Sequence, residues 1–124
     1  MRELNIRQGK NSPEIILNPA GFIKIKGRSI HENVVEFLKP VEQWIDEYIE
    51  NPADLTCVDI TLEYFNSASA RALIRLLQKI TLVQLKHKKF VFNWYYESGD
   101  EDILERGEYF ENILGVPFNF IRLD

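Results

Sequence analysis

At 124 residues, 45% apolar and 12% aromatic, the chain is sized for one domain, residues 1–124, with a packed interior, and lacks the polar composition of a disordered segment. A net charge of −4 with acids and bases interspersed argues against nucleic acid as a partner, since phosphate backbones are bound by clustered Lys and Arg. No stretch reaches the roughly 18–20 apolar residues of a membrane span, no basic-then-apolar leader opens the sequence, and the one cysteine, Cys57, cannot close an internal disulfide, so a cytoplasmic protein without membrane insertion is expected.

In chain order, Leu4 to Arg7 is a candidate edge strand, and Glu14 to Leu17 and Phe22 to Lys26 read as a hairpin around Asn18-Pro19-Ala20-Gly21. Ser29 stands three residues before Glu32, the spacing of a capping box. Val34, Leu38, Val41, Ile45 and Tyr48 follow at helical intervals, with a kink or break expected at Pro40. Leu55 to Phe65 alternates, placing Val58, Ile60, Leu62 and Tyr64 on one face and Asp59, Thr61 and Glu63 on the other. Ala70 to about Leu85 is a helix apolar on most sides, and it ends in the basic run Lys86-His87-Lys88-Lys89, where the helix macrodipole favours cations. Lys89 to Tyr96 alternates again, Gly99-Asp100-Glu101-Asp102 opens a third helix that stops at Gly115, and Val116 to Leu123 supplies a last strand. Strands alternating with helices imply right-handed parallel crossovers, and half-polar strands imply helices on one side only. The expected fold is α/β: a two-layer sandwich, a mixed β-sheet with helices on one face.

Catalysis finds little support. Cys57 lies inside a strand, where thiols are usually packing groups, and His31 and His87 belong to no metal-spaced cluster. There is no Gly-rich phosphate loop, so neither enzyme activity nor a cofactor is expected. The segment Phe65-Asn66-Ser67-Ala68-Ser69-Ala70-Arg71 differs, because it joins the C-terminal end of a strand to a helix, where ligands of α/β sheets gather. Asn66 or Ser67 can simply cap the helix. The same physics suits a switch: a phosphate on Ser67 adds about −1.5 to −2 charges and three acceptor oxygens beside free helix N–H groups, with Arg71 one turn on.

Ser29-x-x-Glu32-Asn33, Trp44, Leu62-Glu63-Tyr64-Phe65-Asn66-Ser67-x-Ser69 with Arg71-Ala72, Trp94-x-Tyr96 and Pro117-Phe118 together resemble the SiaC regulatory phosphoproteins, which are STAS-like (anti-anti-sigma-like) in shape. The resemblance implies a non-enzymatic module phosphorylated by a partner kinase of the SiaB type and released by a PP2C-type phosphatase. Its unmodified form binds and activates a diguanylate cyclase in biofilm and aggregation signalling. The family's acceptor hydroxyl maps onto Ser67, with Ser69 as second candidate, and Asn66, Ser67, Ser69, Arg71, Tyr64, Phe65, Glu32 and Asn33 are the expected partner-binding residues. Two alternatives stand beside this reading. One is an anti-anti-sigma-type module binding an anti-sigma kinase; the other is a small-ligand domain using the open sheet face around Lys24, Lys26, Thr61 and Asn93.

Overall fold

The computed structural model describes residues 1–124 as one six-stranded sheet covered by three α-helices. The order is β1 (Leu4–Ile6), β2 (Glu14–Asn18), β3 (Phe22–Ser29), α1 (Val34–Tyr48), β4 (Leu55–Phe65), α2 (Ser67–Thr81), a 3-10 turn (Leu82–Lys86), β5 (Lys89–Glu97), α3 (Glu101–Leu114) and β6 (Phe118–Leu123). Strand order along the sheet is the order along the chain. The first two pairings are antiparallel and the last three parallel, each parallel step carrying its crossover helix.

The hairpin forms as its residues dictate. Asn18 turns the chain, its side chain accepting from Ala20 N–H at 2.9 Å and its carbonyl from Gly21 N–H at 2.9 Å. Gly21 takes φ 108°, which a side chain would oppose. Alternation then sorts the sheet into two faces. Ile15, Leu17, Ile23, Ile25, Val58, Ile60, Leu62, Phe92 and Trp94 point inward to meet the helices, while Lys24, Cys57, Asp59, Thr61, Asn93 and Tyr95 stay half-exposed on the other side. The α1 and α2 helices are linked at the surface by Glu42 with Arg75 (3.1 Å) and Lys79 (3.0 Å), and by Asp46 with Lys79 (2.7 Å). Exposed pairs of this kind contribute about 0.2–1 kcal/mol each. Burying one Leu, Ile or Val contributes about 1.5–3 kcal/mol, so the core residues Leu38, Val41 and Ile45 of α1 and Leu73, Leu77 and Ile80 of α2 each hold their helix more strongly than such a pair does.

Four sequence expectations are corrected. The Ser29–Glu32 capping box does not form: Ser29 is the last residue of β3, paired in register with Phe65, and Asn33 caps α1 by accepting from Glu36 N–H at 3.3 Å. Pro40 does not break α1, which runs from Val34 to Tyr48. Proline costs about 3 kcal/mol inside a helix, and buried Leu38 and Val41 on either side of it outweigh that. The α2 helix begins at Ser67 rather than Ala70 and ends at Thr81, the rest tightening into the 3-10 turn. Finally, Tyr64 does not continue the inward row. The register with β3 shifts so that Leu62 faces Gly27 and Tyr64 faces Arg28, leaving Glu63 as a bulge. Phe65 is therefore in the core at 1% exposure and Tyr64 is 48% exposed.

Candidate functional site

The β4–α2 junction is built by competition for the first helix donors. Asn66, extended at φ −89° and ψ 176°, is the cap: its side chain accepts from Ser69 N–H at 2.9 Å and its carbonyl from Ala70 N–H at 2.9 Å. With Asn66 in that role, Ser67 occupies the first helical position with an exposed hydroxyl. Its own N–H and that of Ala68 belong to the first turn, where no carbonyl of the helix can reach them.

Ser69 is placed very differently. It is fully buried (0% exposed), and its Oγ accepts from the hydroxyl of Ser29, itself 1% exposed, at 2.8 Å. The Asn66 N–H also donates to the Ser29 carbonyl at 3.3 Å, so two hydrogen bonds tie the end of β3 to the start of α2.

Beside Ser67 lies a groove of about 470 Å³ between α2 and α3. Ser67, Ala70, Arg71 and Ile74 line one wall; Asp102, Glu105, Arg106, Tyr109 and Phe110 line the other. Arg106 is the residue that sequence reasoning missed. Its Nη1 donates to the Phe65 carbonyl at 2.6 Å, and its guanidinium carbon sits 4.0 Å from the centre of the Phe65 ring, a cation–π arrangement. The available signal was Gly107 next to it, since a glycine inside a helical pattern costs about 1 kcal/mol against alanine and so points to a packing reason. A Cβ on Gly107 would come within 2.5 Å of Trp94 Nε1, so α3 lies tight on the sheet and holds Arg106 over the junction.

Of the other expected site residues, Phe65 contributes its carbonyl and ring from the core, and Arg71 is exposed on the groove wall. Tyr64 is on the surface beyond the bulge. Glu32 and Asn33 are exposed in the turn after Ser29 and do not line the groove; Asn33 is engaged as a cap. His31 accepts from Asn33 N–H at 3.1 Å and stacks on Phe37, and no group of three metal-ligating side chains gathers anywhere.

On the open sheet face, Lys26 and Thr61 line a cavity of about 480 Å³ together with Gln8, Tyr95 and Tyr96, while Lys24 and Asn93 are paired within the face. Lys24 pairs with Glu14 at 3.1 Å, and Asn93 donates to Asp59 at 2.9 Å while accepting from Asn119 at 3.0 Å. Burial pushes the Cys57 thiol above its ordinary pKa, and the Asp59 carboxylate adds to the shift. Both disfavour the thiolate, so native Cys57 is expected to react with a disulfide reagent at about pH 8.5 more slowly than in the urea-unfolded chain. Equal rates would contradict this environment.

A STAS-like two-layer sandwich with an exposed serine at a strand-to-helix junction is the class these features define. The model of the SiaC family of regulatory phosphoproteins matches residues 6–123, and the chain belongs to that family. An uncharacterized protein of Pseudomonas aeruginosa (strain UCBPP-PA14) is 24% identical over 119 residues, covering 95% of this chain and 94% of that protein. The structure of apo-SiaC from P. aeruginosa superposes with a TM-score of 0.84 at 22% identity, over 100% of both chains. A chain in the crystal structure of the diguanylate cyclase SiaD in complex with its activator SiaC, also from P. aeruginosa, gives 0.85 at 23% identity, over 97% of this chain and 99% of that one. The fold is thus shared along the whole length. No helix is long and apolar enough to cross a membrane.

Proposed function

We propose that this chain is a non-enzymatic regulatory phosphoprotein in which Ser67 is the acceptor. Its unmodified form binds and activates a diguanylate cyclase; a partner kinase adds the phosphate and a PP2C-type phosphatase removes it. The observation that carries the acceptor assignment is the contrast between the two serines: Ser67 presents a free hydroxyl at the groove, whereas Ser69 is buried against Ser29. A kinase must reach the hydroxyl it modifies, and only Ser67 allows this without opening the fold. The dipole of α2 tolerates the added charge at its first residue, so modification changes the surface and leaves the scaffold intact. Membership of the SiaC family and the likeness to an activator seen in complex with its cyclase support the choice of effector.

The test is labelling by the cognate kinase together with co-purification of the cyclase. Ser67→Ala is expected to lose phosphate incorporation completely, keep its melting temperature and remain bound to the cyclase under conditions where the phosphorylated wild type is released. Full labelling of Ser67→Ala would move the acceptor elsewhere. Equal cyclase binding by both forms would overturn the switch.

A further inference from the structure

We infer that Arg106 is the residue that grips the phosphate on Ser67, a role that rests on the reading of Ser67 as the acceptor and goes beyond it. On α2 and just beyond it, Arg75 and Lys79 are held by Glu42, Lys79 also by Asp46, and Lys88 by Asp54, while Arg71, and Lys39 on α1, make no ion pair. Arg106 makes no ion pair, although Asp102 and Glu105 share its groove. It is half-buried, fixed at one N–H by the Phe65 carbonyl (2.6 Å) and on its flat side by the Phe65 ring. The other N–H groups of its planar fork have no partner in the protein.

Phe65 and Ser67 are two residues apart, at most about 7 Å of extended chain, and Ser67 and Arg106 line the same groove. A phosphate there would meet a guanidinium already held in place, whose fork matches two phosphate oxygens at once. Arg71, more exposed and likewise without an acid partner, is a secondary contact from the opposite wall. The charged groups facing the phosphate are therefore Arg71 from α2 and Asp102, Glu105 and Arg106 from α3, with the Tyr109 hydroxyl beside them. Two cations balance two acids before modification, and the phosphate tips the groove to net negative.

The experiment uses the full chain with phosphoserine installed at position 67 during translation, followed by 31P NMR against pH. A cation in contact favours the dianion, so the second phosphate pKa in the folded chain is expected about one unit below that of the same chain unfolded in urea. Arg106→Gln is expected to remove most of that difference. Arg106→Lys should keep part of it, since the charge remains and the fork is lost, and Arg71→Gln should move it less than Arg106→Gln. Identical midpoints in folded and unfolded wild type would overturn the inference, as would an Arg106→Gln profile that superposes on wild type. Because the phosphoserine is installed without a kinase, these outcomes stand apart from the labelling test: an unlabelled Ser67 defeats the acceptor reading, and an unmoved midpoint defeats the role of Arg106.

Discussion

Ser69→Asp is expected to lower the unfolding free energy by about 3–5 kcal/mol, the cost of an uncompensated buried charge, while Ser67→Asp changes it by no more than about 1 kcal/mol. The two positions are both in the first turn of α2, so the helix dipole favours an acid at either one. Burial separates them. At position 69 the carboxylate would be sealed in with only the Ser29 hydroxyl for company, and at position 67 it would remain in water. Urea denaturation of the two variants measures the difference, and similar midpoints would mean that the Ser69 pocket opens readily. The same pair gives a finer check. Ser29→Ala or Ser69→Ala alone strands a buried hydroxyl and should cost about 1–3 kcal/mol, whereas removing both hydroxyls together should cost much less than the sum.

Gly107→Ala is expected to destabilise the protein by about 2 kcal/mol, opposite in sign to the gain of roughly 1 kcal/mol that helix propensity alone assigns to this exchange. The added methyl would lie 2.5 Å from Trp94 Nε1 and 2.6 Å from Cε2, and Trp94 is buried at 1% exposure among Phe65, Phe110 and Phe118. Either the indole rotates, giving up its hydrogen bond to the Ile103 carbonyl at 3.0 Å, or α3 lifts from the sheet. A thermal melt together with the near-ultraviolet dichroism of Trp94 would report the loss. A more stable Gly107→Ala would show that α3 can move off Trp94 at little cost.

The alternations of β4 and β5, the hairpin and the three amphipathic helices were legible because each is written in local periodicity. The serine junction was legible for the same reason: Asn66 through Arg71 is contiguous. What failed to show was set by partners distant in sequence. Ser29 looked like a cap because Glu32 follows at the right interval, yet its hydroxyl is claimed by Ser69, 40 residues away. Tyr64 looked buried until a bulge, decided by pairing with Gly27 and Arg28, turned it outward. Arg106 sits among acids and reads as an ordinary solvated helix residue; its importance comes from the Phe65 carbonyl, 41 residues earlier.

The sheet is laid down in chain order, each strand joining the edge made by the one before it. A chain emerging from the ribosome can therefore add strands one at a time, with no early strand waiting for a late one to be inserted beside it. The junction serine leaves the ribosome with β4 and α2, but the wall that carries Arg106 belongs to α3, well behind it. During synthesis there is consequently an interval in which the serine is present and its groove is not. An enzyme that recognises the assembled groove, rather than the linear segment, would by that fact leave unfinished chains alone.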